Sequence, residues 1–193
     1  MYLFIDTETG GITTDYSLLS ITAIVTDKHF NVVPVVDYPN GIQLFIKSPK
    51  YVVNAQALAI NNINIVSHDK SAVCVSDARQ ALLSYLQDAL KLSNCHRFIM
   101  AGHNVVFDRI FIDKHLLIDG ELEKYITYPF FDTAVIARLL TTLGLHDKGF
   151  SLAILMSKFC PEYPTGTLHD SYFDTMATIK LAKKFVEILG IPK

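Results

Sequence analysis

Asp6 and Glu8 are two carboxylates two positions apart, at the end of the apolar run Leu3-Phe4-Ile5. In an extended chain residues i and i+2 point to one face, so the pair projects side by side and Thr7 points the other way. Adjacent carboxylates repel, and each resists leaving water. A divalent cation relieves both penalties, and Mg2+ takes oxygen ligands. An ordinary surface turn after a strand accounts for the same residues without any ion. Gly10 and Gly11 follow at once. They let the backbone approach something closely, or simply turn tightly.

Further acids lie far along the chain. Asp108 sits among Val105, Val106, Phe107, Ile110 and Phe111. An acid there is costly unless it is paired or holds a metal, and Arg109 points about 100° away on a helix. An exposed polar helix face is the alternative. Near the end comes His169-Asp170-Ser171-Tyr172-Phe173-Asp174. With Ser171 as N-cap, Asp174 falls at N3, where an acid suits the helix dipole. His169 can act as a general base near neutral pH, or lie plainly on the surface.

These residues need a frame. Residues 3–5 read as a buried strand. Residues 19–25 alternate, with Leu19, Ile21, Ala23 and Val25 on one face and Ser20 and Thr22 on the other. That predicts a strand with one wetter face. Asp27-Lys28-His29 reads as a turn, and residues 32–36 and 42–47 as further strand, with Pro34 and Pro39 keeping residues 31–41 irregular or on an edge. The period then becomes helical over 55–60 and over 77–92, with Ser76 as N-cap. A short buried strand is expected at 98–101. Helices are expected at 104–117, 133–143, 151–159 and 172–189, the last stopped by Gly190 and Pro192. Three strands followed by alternating strand and helix predict an α/β domain with a mixed sheet.

Half of the 193 residues are apolar and 19% are charged, with mean hydropathy +0.30. That excludes intrinsic disorder and suits a single domain over 1–193. A net charge of −2 argues against wrapping nucleic acid on encoded lysines and arginines. Cys74, Cys95 and Cys160 are too sparse for a disulfide framework and fit a reducing compartment. Cys95 and His96 are adjacent, which is poor zinc-chelate geometry. No leader pattern and no run near the ~20 apolar residues of a membrane span is present, so a cytoplasmic protein without membrane contact is expected. Lys180, Lys183 and Lys184 form a basic helix face, either solvated or tracking a phosphate backbone.

Phe4-Ile5-Asp6-Thr7-Glu8-Thr9-Gly10-Gly11, then Gly102-His103-Asn104-Val105-Val106-Phe107-Asp108, then His169 with Asp174 five positions on, resemble the three motifs of the DEDDh (DnaQ-like) 3′–5′ exonucleases. Asp132-Thr133-Ala134-Val135-Ile136-Ala137-Arg138 and Ser151-Leu152-Ala153-Ile154-Leu155 also look like that family, and the resemblance runs from Tyr2 to about Val186. The sister class has a tyrosine four before the last acid, where this chain has Asp170.

The resemblance implies a ribonuclease H-like fold, a mixed five-stranded sheet flanked by helices, two Mg2+ or Mn2+ ions, and hydrolysis from a 3′ end. By position, Asp6, Glu8 and Asp174 would hold the first ion. Asp6 would bridge to the second with Asp108, and His169 would take a proton from water. Thr9, Gly10 and Gly11 would meet the terminal nucleotide, Ile12 would wedge its base, and Asn104 would add a substrate contact. Asn61 stands where many members carry a histidine that packs on that nucleotide. It is either a substrate contact or a helix C-cap. Asp132 is carried over as a structural residue, or caps the helix at Thr133. The implied partner is a single-stranded DNA 3′ end, with RNA as the alternative, and with a polymerase or a second copy of the chain as protein partner. A module that binds nucleic acid or a polymerase without cutting is the reading from another class, and the full set of acids speaks against it.

Overall fold

The structure, a computed structural model, describes residues 1–118, 120–147, 149–164 and 170–190. Strand β1 (Tyr2–Thr9) runs through the middle of a mixed sheet. On one side it pairs antiparallel with β2 (Leu18–Thr26), which pairs antiparallel with β3 (Ile42–Lys47). On the other side lie β5 (Phe98–Gly102) and β6 (Ile126–Asp132), both parallel. The expected five strands are joined by a sixth, the two-residue β4 (Val73–Cys74), giving the order β4-β3-β2-β1-β5-β6. Among the described residues seven α-helices flank the sheet: α1 (Ala55–Asn61), α2 (Ile65–Ser71), α3 (Val75–Ser93), α4 (Val105–His115), α5 (Thr133–Thr142), α6 (Leu152–Phe159) and α7 (Ser171–Ile188).

The period of two in β1 sorts the chemistry. Leu3 and Ile5 enter a core with Leu82 and Leu86 of α3 and Phe111 of α4. Phe4 enters the core on the other face, with Ile179 and Ala182 of α7. Continued along the strand, the alternation turns Thr7 toward α4 and turns Asp6 and Glu8 toward α7. In β2 it sends Ile21, Ala23 and Val25 to the α3–α4 side. Ser20 and Thr22 face α7, where the sequence predicts water; instead, every residue of β2 is buried. Ser171 supplies the reason. Its hydroxyl lies 3.2 Å from that of Ser20 and 2.9 Å from that of Thr22, so the helix that removes these groups from water also satisfies them. Helices α5 and α6 pack on the remaining side of α7 through Leu140, Met156, Leu181 and Phe185.

Other expectations shift for local reasons. Residues 32–36 form isolated bridges, Thr26 to Val32 and Val35 to Tyr38, and no strand; Pro34 cannot donate to a ladder. Helix α3 begins at Val75 with Cys74 as its cap residue, and the Ser76 hydroxyl lies 2.9 Å from the Cys74 sulfur instead of capping. Helix α2 is seven residues long and is started by Asn64, whose side chain accepts from the Ser67 N–H. Strand β6 is an edge strand carrying Pro129, with Tyr128 94% exposed. It therefore lacks the regular alternation that marks a strand in sequence. No described helix is long and apolar enough to cross a membrane.

Candidate active site

Strand β1 delivers Asp6 and Glu8, and the first turn of α7 delivers Asp174. One carboxylate oxygen of each lies within 4.8 Å of the others. The cap of α7 is Asp170, not Ser171 as the sequence suggests. Its carboxylate accepts from the N–H groups of Tyr172 (3.0 Å) and Phe173 (3.1 Å). With Asp170 filling that role, Asp174 turns to β1. Gln43 of β3 donates to Asp170 at 3.3 Å, tying the start of α7 to the sheet.

Asp108 arrives from the other face. Its Oδ1 accepts from the Thr7 N–H (2.9 Å) and the Thr7 hydroxyl (2.7 Å). At 3% exposure it does not lie on a polar helix face. Arg109 pairs with Asp113 and Glu123 and leaves Asp108 alone. Asp108 stands outside the three-carboxylate cluster but close to it, because its charge is the largest influence after burial that raises Asp6. Helix α4 begins after Asn104, which is left-handed at φ 63°. The N–H groups of Asn104 and Val105 both donate to Asp132 (3.0 and 3.1 Å), which also accepts from the Ala134 N–H at 2.8 Å. One carboxylate thus caps two helices, doubling the structural role expected of Asp132. His103, quoted with the second motif but given no role there, braces this corner. Its ring lies 2.9 Å from the Thr133 hydroxyl and 2.8 Å from the Phe150 carbonyl.

The electrostatics are those of acids kept from ionising. Burial first, then Asp108, Glu8 and Asp174, hold Asp6 well above the usual carboxylate range. Burial, then Asp174, Asp170 and Asp108, push Glu8 up to about 8. Burial lifts Asp108 to about 7 against the pull of the Thr7 donors. Such a set is unstable as four free anions and well matched to hard dications. Oxygen-only donors suit Mg2+ or Mn2+ better than a zinc site of thiolates and imidazoles.

The loop after β1 folds against its own chain. A Cβ on Gly10 would run into the Val52 carbonyl, and one on Gly11 would strike the Tyr16 ring. Both glycines are therefore explained by packing. Thr9 is buried with its hydroxyl on the Gly11 carbonyl (2.7 Å), while Ile12 is 84% exposed beside the site. The helix C-cap is Asn62, at φ 53°, and not Asn61. Asn61 is buried. Its amide donates to the Thr9 carbonyl at 3.2 Å, and its side-chain oxygen accepts from the Ile63 N–H at 3.2 Å. His169 lies outside the described residues. On the basic face of α7, Lys180 pairs with Glu162 and Lys184 with Glu187, and Lys183 donates to Asn31. Two of the three charges there are locally neutralised.

Asn54, whose N–H donates to the Gly10 carbonyl at 2.8 Å and whose side chain caps α1, Thr7 and Asp170 are the positioning residues that the sequence reading missed. Asn54 and Asp170 have the residue type of a cap just before an apolar-periodic run, a signal that could have found them. Thr7 has none beyond its alternation with Asp6 and Glu8.

No family model matches the chain. It is 32% identical over 194 residues to ribonuclease T of Klebsiella pneumoniae subsp. pneumoniae, covering 96% of this chain and 83% of that protein. It is 30% identical over 202 residues to ribonuclease T of Escherichia coli K12, with the same coverage. Among solved structures, E. coli exonuclease I in complex with a dT13 oligonucleotide aligns over 96% of the chain with a TM-score of 0.74 at 20% identity. That likeness is one of fold, consistent with a ribonuclease H-like sheet, and this chain spans 40% of the length of the exonuclease I chain. Sequence identity sustained over nearly the whole chain, on a fold whose β1 and α7 bring three carboxylates together, places the chain in the ribonuclease T family.

Proposed function

We propose that this 3′–5′ exonuclease acts through two divalent ions held by Asp6, Glu8, Asp108 and Asp174, hydrolysing the last phosphodiester of a single-stranded 3′ end and releasing a nucleoside 5′-monophosphate. The observation that carries this reading is the convergence of Asp6, Glu8 and Asp174 within 4.8 Å. When bound, the ions supply positive charge to the attacking and leaving oxygens. Asp6, Glu8 and Asp174 would hold the first, and Asp6 with Asp108 would hold the second. The Thr7 donors fix one oxygen of Asp108 and leave the other for an ion. His169 takes the proton of the attacking water. Asp170, in the sister class's tyrosine position, is occupied as the cap of α7. The water oxygen bonds to phosphorus as the bond from phosphorus to the penultimate 3′-oxygen breaks, and that oxygen takes a proton from solvent to leave as a hydroxyl. Thr9, Gly10 and Gly11 form the wall beside the terminal nucleotide, Ile12 wedges its base, and Asn104 opens the helix beneath it. A single domain over 1–193 in the cytoplasm completes the reading, and the free cysteines fit a reducing compartment.

RNA is the favoured substrate, because the relatives at 30% identity or more are ribonucleases by name. DNA is the second reading, favoured by the dT13 bound to the structural neighbour. Asp108→Asn tests the site. On a labelled oligonucleotide with Mg2+, activity falls by more than roughly 100-fold, the upper end of losses from residues that only support a metal ligand; undiminished activity overturns the reading. Matched RNA and DNA oligonucleotides, with a 3′-phosphate control, decide the substrate.

A further inference from the structure

Strand β1 does not end cleanly. Its pairing with β2 shifts register between Glu8 and Thr9. The residue skipped there is Leu19 of β2, so β2 carries the extra residue and the ladder on β1 is interrupted opposite it. The Thr9 carbonyl opposite this bulge accepts from Asn61, the last residue of α1, at 3.2 Å. The orientation of that amide is set by its neighbours. Its oxygen accepts from the Ile63 N–H, so its NH2 group points to Thr9. The same side chain also draws the raised pKa of Glu8 part of the way down. The other end of α1 is fastened too, since the Asn54 N–H donates to the Gly10 carbonyl at 2.8 Å and the Asn54 side chain caps the helix at the Ala57 N–H. The short helix is thus clamped at both ends to Thr9 and Gly10, the two residues that follow Glu8.

We propose that Asn61 is a positioning residue for Glu8: its buried amide holds the end of β1 where the ladder to β2 is interrupted, so that the Glu8 carboxylate stays in the cluster with Asp6 and Asp174. It acts through Glu8 and not on the nucleotide. The proposal rests on the reading of Glu8 as a metal ligand.

The test is titration of the metal-free protein with Mn2+ in a calorimeter, without substrate, on four chains: wild type, Asn61→Ala, Glu8→Gln and the double variant. Asn61→Ala is expected to weaken Mn2+ binding by about 10-fold, the lower end for groups that orient a ligand. In the Glu8→Gln background the same change has little further effect, because a residue acting through another shows strong non-additivity. In steady-state assays at saturating Mn2+, the oligonucleotide KM of Asn61→Ala stays within about 2-fold of wild type, and kcat recovers as metal is raised. Wild-type Mn2+ affinity in Asn61→Ala, a full additive loss in the double variant, or a KM that rises at saturating metal each overturns the proposal. If Glu8→Gln itself binds Mn2+ as wild type does, the reading of Glu8 as a ligand fails, and the proposal falls with it. Should the alanine chain not fold, Asn61→Ser is titrated in its place. It is expected to show the same loss, and wild-type affinity in that folded variant is equally fatal.

Discussion

Glu8 is an acid that the folded chain makes reluctant to ionise. Its pKa rises from 4.5 to about 8, chiefly by burial and then by Asp174 and its neighbours. Below the unfolded value both states hold the proton, and the shift costs nothing. Above it the unfolded chain releases the proton and the folded chain does not, so metal-free stability falls as pH rises from 4.5 to about 8. Thermal melts in chelator should show this decline, and Glu8→Gln should flatten it relative to wild type. Saturating Mg2+ should remove the difference, because a dication replaces the proton. A parallel decline in both chains counts against the shift. Such behaviour is partly legible in one sequence. Asp6 and Glu8 share a face by a local period of two, and Asp108 stands out by its apolar neighbours. Asn61 does not announce itself, because its partner carbonyl lies 52 positions away opposite a bulge visible only once the strands are paired.

Among the elements, α7 has the most demanding placement, since it carries Asp174 and covers a face of the sheet lined with hydroxyls. Asp170 starts it by accepting two backbone N–H groups, and Ser171 meets Ser20 and Thr22 beneath it. Loss of a cap costs about 1 kcal/mol. Asp170→Ala is therefore expected to lower the unfolding free energy in urea by about that amount, whereas Asp170→Asn and Asp170→Ser, which still cap, lose less. Equal stability of the alanine and asparagine variants would show that the cap is idle. The helix itself is read easily from its stripe of Phe173, Ala177, Leu181 and Phe185. Its cap is not, because Asp170 and Ser171 are both good cap residues and only the hydroxyls of β2 decide which of them turns inward. Alternating Ser20 and Thr22 look like a wet face for the same reason: a sequence shows which strand face is polar, not whether a polar helix surface covers it.

The whole molecule carries a net charge of −2, and three of its acids, Asp6, Glu8 and Asp174, converge, with Asp108 close by. The lysines of α7 are largely answered by Glu162 and Glu187. In the proposed reading, positive charge reaches the phosphate with the ions, and few phosphates are gripped at once. The KM should then stop falling once an oligonucleotide exceeds a few nucleotides. Its rise with salt should also be shallow, with a slope of about +1.4 in log–log form if two single-strand phosphates are neutralised. A KM that keeps improving with length, or a steep slope, would point to a long track on the protein surface. The sheet's two borders bear on another property, behaviour at high concentration. On one side the last strand is β4, two residues long; on the other, β6 has Pro129 in its middle, with no N–H to offer. Both borders are shortened templates for an added strand, which discourages the usual route to edge-to-edge aggregation. For a polymerase or a second copy of this chain, docking on helices and loops is thereby favoured over sheet extension.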